Sequence, residues 1–221
     1  KSYNGLKMVI ENTTLYGEAI QNIYKKVNEI ENIEFKKEGT ITLEKNILSY
    51  YIAELEKKFV LKKDLKVCID CSNGVTGHVS RKLFRKLGIN FKIINEEVNG
   101  DFPNHSPDPT KEDNLSQLKN TMKESKSEIG IAFDGDGDRL IVVDNNLRVI
   151  WPDELMMIYA KDVLTKKDGN IVFDVKCSEN LEKIINNMGG TPLRSRTGHS
   201  YIKKSLKENN ALLAGEMSGH I

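Results

Sequence analysis

Between two apolar runs, Ile129-Gly130-Ile131-Ala132-Phe133 and Leu140-Ile141-Val142-Val143, the chain reads Asp134-Gly135-Asp136-Gly137-Asp138-Arg139. Carboxylates at alternating positions at the end of a buried strand repel one another and resist leaving water. The intervening glycines let the backbone turn tightly enough to aim the three side chains at one point. A hard divalent cation that takes oxygen ligands offsets the repulsion, and Arg139 adds a fixed positive charge beside it. Asp134, Asp136 and Asp138 are therefore candidate metal ligands. The chain must fold so that a strand ends at a loop able to hold an ion.

The rest of the sequence supplies such a fold twice. Helical spacing of Leu15, Ala19, Ile20, Ile23, Tyr24, Val27 and Ile30 predicts a helix over Leu15–Ile30, after a turn and strand at the start of the chain. Residues 31–43 are polar and extended, and a second helix is expected over Glu44–Phe59. A first unit then reads strand (Leu65–Cys71), loop (72–77), helix (His78–Leu87), Gly88, strand (Asn90–Asn95). A loop, a helix (Asn114–Glu124) and a strand (Glu128–Phe133) lead into the acidic loop. The second unit repeats the order: helix (Asp153–Leu164), strand (Asn170–Val175), loop (176–178), helix (Glu179–Met188), Gly189-Gly190 and a strand near Thr191–Arg194. A loop (195–198), a helix (His199–Glu208) and a strand (Ala211–Ala214) deliver Gly215-Glu216-Met217-Ser218-Gly219-His220. Alternation of this kind makes α/β layers with mostly parallel sheets, whose chemistry gathers beyond the carboxyl ends of the strands. The boundary between the units falls near Val149–Pro152.

Composition narrows the function classes. With 33 Lys+Arg against 32 Asp+Glu, no global field draws the chain to nucleic acid or a membrane. No apolar run reaches transmembrane length, and no signal peptide opens the chain. Three cysteines suit a reducing compartment, and cytoplasm is the expectation. Cys68 and Cys71 form a CxxC, but an odd separation in a strand sends their side chains to opposite faces. No second ligand pair follows at zinc-finger spacing, so all three cysteines read as small core or near-site residues.

Each loop admits competing readings. An EF-hand-type calcium loop counted from Asp134 fits at Asp136 and Asp138, but its sixth position is Arg139 and its twelfth Asn145, with strands where helices belong. A phosphatase with Asp134 as nucleophile fits Asp134-Gly-Asp136 but leaves Asp138 and Arg139 unexplained. A purely structural acidic turn is the bland alternative. Glu216, Ser218 and His220 on a Gly-bracketed turn can exchange several hydrogen bonds with vicinal sugar hydroxyls. Alone they also suit an ordinary surface loop. Arg196 and His199 can be substrate contacts or solvated, and Lys176 can meet a phosphate or cap a sheet edge. His105, in the Pro-rich stretch 102–109, reads as shaping its loop.

Taken together and in order, 131–139, Thr197-Gly198-His199-Ser200 and 215–220 resemble the α-D-phosphohexomutase superfamily, and within it the bacterial phosphomannomutase/phosphoglucomutase branch. Phe102–Pro109, Asp174-Val175-Lys176-Cys177 and Tyr3-Asn4-Gly5-Leu6-Lys7 add to the match. The resemblance implies tandem three-layer α/β/α domains with mixed, mostly parallel sheets: residues 1–43 the tail of a first domain, 44–150 a complete second, 151–221 most of a third. It implies interconversion of hexose 1-phosphate and hexose 6-phosphate through a phosphoserine and a hexose 1,6-bisphosphate. Mg²⁺ would sit on Asp134, Asp136 and Asp138 with Arg139 in support. Glu216 and Ser218 would bind sugar hydroxyls, Lys176 and His199 the phosphate or ring, and His220 would end the sugar loop. A monomer or homodimer acting on a hexose phosphate is expected. The family's phosphorylatable serine and fourth, phosphate-binding domain have no match in the 221 residues. The expectation is an internal piece, inactive alone. A phosphoglucosamine mutase, or a non-catalytic paralogue that holds metal and sugar phosphate, is the alternative.

Overall fold

A computed structural model of the chain describes residues 8–11, 13–30, 39–59 and 64–221. The turn expected over Lys1–Lys7, and residues 31–38 of the expected polar connection, lie outside these. The chain divides into two compact units, Lys1–Glu44 and Lys45–Ile221. In the first, β1 (Val9–Ile10) pairs antiparallel with β2 (Thr13–Thr14), and α1 (Glu18–Glu29) follows. The helix starts later than its periodicity predicts because the Leu15 N–H bonds Met8 O at 2.9 Å, closing the hairpin. Gly17, at φ 54°, then turns the chain into the helix, a conformation glycine takes without steric cost.

The second unit carries the two repeats. Its elements are α2 (Ile47–Lys58), β3 (Lys66–Asp70), α3 (Gly77–Lys86), β4 (Asn90–Ile94), a 3-10 turn (Glu112–Leu115), α4 (Ser116–Ser125), β5 (Ile129–Phe133), β6 (Leu140–Val143) and β7 (Val149–Ile150). There follow α5 (Pro152–Leu164), β8 (Asn170–Asp174), α6 (Glu179–Asn187), β9 (Thr191–Ser195), α7 (His199–Glu208) and β10 (Leu213–Gly215). One sheet has the order β4-β3-β5-β6-β7, parallel from β4 to β5 and antiparallel beyond. The other, β10-β8-β9, is parallel throughout. In both, the first strand of the repeat lies between the second and the third. The mixed, mostly parallel α/β class expected from the sequence is the one observed.

Three differences from the sequence expectations have local causes. The helix expected from Asn114 opens as a 3-10 turn, with the Asn114 amide reaching back to Asp108 O at 2.7 Å. The boundary expected at Val149–Pro152 begins with a strand, because Val149 pairs with Val143 and extends the sheet. The last strand starts two residues late, because the Ala211 N–H still caps α7 through Leu206 O at 2.9 Å.

Alternation along β3 divides the packing of the first sheet. Cys68 faces Leu115, Leu118 and Met122 on the α4 side, while Val67, Ile69 and Cys71 face Phe84, Phe91 and Ile93 on the α3 side. The two cysteines of the CxxC therefore lie on opposite faces, both buried and free of disulfides. The second sheet has its own core, in which Ile171 and Phe173 pack on Met156, Ala160, Leu181 and Ile185 of α5 and α6. Among the described residues, no helix is long and apolar enough to cross a membrane.

The Pro-rich loop is tied to the first sheet by a part-buried contact between His105 and Asp70. Asp70, at the end of β3, accepts from the Ser72 N–H at 2.8 Å and from the Asn95 amide at 2.9 Å, and its Oδ2 lies 3.0 Å from His105 Nε2. Hydrogen bonding to Asp70 raises the His105 pKa above its ordinary value, against the opposing effect of burial. A histidine whose native pKa is raised contributes stability that is fully present below its unfolded pKa of about 6.5. That contribution fades as pH rises through the native value. His105→Gln is thus expected to destabilise most at pH 5.5–6 and progressively less toward pH 8.5, as read by thermal melts across that range; a pH-independent deficit contradicts the assignment. Phe173→Ala, which empties the centre of the second core, is expected to cost about 3–5 kcal/mol in urea unfolding.

Candidate active site

The acidic loop is a tight connection between antiparallel neighbours. Gly137 N–H bonds Asp134 O at 3.2 Å and Asp134 N–H bonds Arg139 O at 3.4 Å, folding the six residues back on themselves. Gly137 sits at φ 74°, and a Cβ there would meet Thr76 Cγ2 at 2.4 Å, so both conformation and space demand glycine. The loop at 72–77 braces it from one side. Ser72 Oγ donates to Phe133 O at 2.6 Å, and Val75 N–H donates to Gly135 O at 3.1 Å. Ser72 and Asn73 hold left-handed backbone, φ 49° and 54°, the kind of local strain that persists only where the surroundings enforce it.

Asp134, Asp136 and Asp138 each bring a carboxylate oxygen within 4.8 Å of the others. Asp134 is fully buried, and burial raises its pKa despite the opposing hydrogen bonds from Arg139. Arg139 Nε stands 2.6 Å from Asp134 Oδ2 and 3.7 Å from Asp138 Oδ1, and Nη1 is 3.9 Å from Asp108. One guanidinium against three convergent carboxylates leaves the cluster net negative. An all-oxygen, net-negative donor set fits a hard divalent cation such as Mg²⁺.

The second loop arrives from the other sheet. Glu216, nearly fully buried, accepts from the Gly198 N–H at 2.6 Å through Oε1, with Oε2 3.5 Å from His220 Nδ1. His220 Nδ1 also lies 2.9 Å from Ser218 Oγ, and its ring centroid is 6.3 Å from that of His199. The other ring nitrogen, Nε2, is 3.0 Å from Asp138 Oδ2. His220 thereby joins the two loops, 82 residues apart in the chain. A cavity of about 260 Å³ opens where 137–140, Leu155, Tyr159 and Gly219 meet.

The structure thus brings Asp134, Asp136, Asp138 and Arg139 into one group with Glu216, Ser218 and His220, and sets His199 beside it. Lys176 joins through Asp174, with Nζ 3.7 Å from its Oδ2 and the side chain half exposed. His105 bonds Asp70 and Ser106 O, so it shapes its loop as expected. Sequence reasoning assigned no role to Asp108, which faces Arg139, or to Asp174 and Thr197. For Asp174 a signal existed: like Asp134, it is a carboxylate placed at the end of an apolar strand run.

Known proteins share this sequence pattern and fold. Residues 49–147 match the family model "phosphoglucomutase/phosphomannomutase, alpha/beta/alpha domain II", and residues 151–221 match "alpha/beta/alpha domain III". The chain is 46% identical to the phosphomannomutase/phosphoglucomutase of Pseudomonas syringae pv. tomato, over all of this chain and 47% of the relative. It is 42% identical to the phosphoglucomutase of Neisseria gonorrhoeae, over 99% of this chain and 48% of the relative. A crystal structure of a phosphoglucomutase/phosphomannomutase family protein from Burkholderia thailandensis superposes with TM-score 0.89 at 39% identity, covering 97% of this chain and 46% of that one. The chain spans about half the length of the curated relatives it matches.

The acidic cluster generates a direct expectation. Asp136→Asn leaves the apolar cores untouched but removes one anionic ligand. Binding of Mg²⁺ or Mn²⁺, titrated by calorimetry, is expected to weaken by about 10–100-fold, on the order of 1.4–2.8 kcal/mol. Wild-type affinity in that variant contradicts the assignment of the site.

Proposed function

Because the chain belongs to the phosphoglucomutase/phosphomannomutase family, we propose that it carries the metal-binding and sugar-binding loops of a Mg²⁺-dependent phosphohexomutase that interconverts hexose 1-phosphate and hexose 6-phosphate. The observation that carries the reading is the 3.0 Å contact between His220 and Asp138. It puts a loop suited to a sugar against a loop suited to a cation, which is what phosphoryl transfer to a sugar hydroxyl requires. Such a transfer depends on positioning and on neutralising charge more than on covalent work by the protein.

In this reading Asp134, Asp136 and Asp138 hold the Mg²⁺, and Arg139 orients Asp134 and spreads positive charge over the cluster. When bound, the ion draws off charge from the phosphoryl group in transit. Glu216 and Ser218 accept and donate hydrogen bonds to ring hydroxyls. Glu216 is held by Gly198, so its carboxylate meets the sugar already oriented. Lys176 and His199 face the phosphate or the ring, and His220 keeps the sugar loop against the metal loop. A grip on hydroxyls alone serves a hexose in either orientation, so one site can handle both ends of a hexose 1,6-bisphosphate intermediate. The residue ranges 1–43, 44–150 and 151–221 are read as the tail of one domain, a whole second and most of a third. The protein is read as a cytoplasmic monomer or homodimer.

The test is an assay of the full-length product of the gene on glucose, mannose and glucosamine 1-phosphates with Mg²⁺. Turnover of glucose and mannose phosphates is expected. Exclusive use of glucosamine phosphate favours the phosphoglucosamine mutase branch, and no turnover of any of them favours a binding protein. The purified 221-residue chain alone is expected to be inactive, and measurable conversion of mannose 1-phosphate by it overturns that part of the reading.

A further inference from the structure

Asp174 closes β8 with its carboxylate fully buried. Oδ1 accepts from the Lys176 N–H at 3.2 Å, the Cys177 thiol at 3.3 Å and the Met217 N–H at 3.4 Å. Oδ2 accepts from the Thr197 hydroxyl at 3.1 Å and faces Lys176 Nζ at 3.7 Å. These donors come from three loops, 175–178, 195–198 and 215–220, each following a different strand of the second sheet. Burial, and then the neighbouring Asp174, push the Cys177 thiol up to about 12, so it remains a protonated donor at neutral pH.

A carboxylate taken out of water is tolerated only where donors surround it, and hydrogen bonds to an ionised acceptor are roughly twice as strong as neutral ones. The burial of Asp174 therefore constrains whatever supplies those donors. Thr197 is adjacent to Gly198, whose N–H holds Glu216, and Met217 is adjacent to Glu216 itself. Glu216 is thus held on one side by Gly198, the neighbour of Thr197, and is bonded on the other to Met217, which Asp174 holds directly.

Asp70 shows which part of this is generic. It ends the equivalent strand of the first sheet and makes the same short-range bond, to the N–H two residues on. Its other partners are the side chains of Asn95 and His105, which shape the Pro-rich loop. Asp174 instead reaches the loop after the third strand, where the sugar-binding residues lie.

We infer that Asp174 is a positioning residue for the sugar phosphate: it locks the Lys176, Thr197 and Met217 loops into one register and acts through them. This rests on the phosphohexomutase reading. Asp174→Asn keeps the shape but turns one acceptor into a donor that faces other donors. In the full-length gene product it is expected to raise KM for glucose 1-phosphate about tenfold and to lower kcat less, since what is lost is mainly ground-state binding. Amide hydrogen exchange at Lys176 and Met217 is expected to quicken about tenfold in the 221-residue chain while β3 and β5 are unchanged, as befits a local opening. Unaltered KM together with unaltered exchange at Met217 overturns the inference. Thr197→Val and Thr197→Ser supply the control if the asparagine variant does not fold. Valine is expected to raise KM and serine to restore it, and equal values for the two also overturn the inference. If wild type turns over no hexose phosphate yet Asp174→Asn loosens Met217, the mutase reading fails and the positioning role stands.

Discussion

The architecture around the site follows from one constraint, the burial of carboxylates at the ends of strands. Asp70, Asp134 and Asp174 each close a strand, or directly follow one, and each is fully buried. An ionised group there must be surrounded by donors or by a counter-charge. The loops beyond the strands supply both, and their paths are set by doing so. Asp70 draws in 72 and the Pro-rich loop, Asp134 draws Arg139 back over its own turn, and Asp174 gathers three loops at once.

The two sheets show one plan put to two uses. In each, a central first strand lies between the second and third strands, and the third strand delivers a Gly-rich acidic loop. In the first sheet that loop is braced by backbone and hydroxyl contacts from 72–77, and its carboxylates are left convergent for a cation. In the second, the loop's carboxylate accepts from a backbone N–H through Oε1, and its Oε2 lies 3.5 Å from an imidazole nitrogen. The same topology thus yields two polar loops that meet through His220.

What could be read from the sequence was what depends on neighbours along the chain. Alternating apolar runs, glycine punctuation and the spacing of Asp134, Asp136 and Asp138 are local signals, and the α/β layers and the convergence of the three carboxylates follow from them. The opposite faces of Cys68 and Cys71 followed from strand parity alone. What could not be read depends on partners far away in the chain. Met217 lies 43 residues from Asp174, and Thr197 lies 23 away, so no spacing rule connects them. The late start of α1 and the strand at Val149–Ile150 depend instead on nearby backbone pairing, Leu15 with Met8 and Val149 with Val143, which side-chain periodicity does not report. The match at Tyr3–Lys7 falls outside the described residues.

The first sheet is packed on both faces, with Leu115, Leu118 and Met122 on one and Val67, Ile69 and Phe84 on the other, while the second sheet's core centres on Phe173, Leu181 and Ile185. Proteins open in cooperative pieces that follow such cores. The site, which draws loops from both, is therefore intact only while both pieces are closed, and its lifetime is that of the weaker one. A change deep in the second core would shorten the life of the 215–220 loop while leaving the acidic loop folded, so the two loops need not be lost at one temperature.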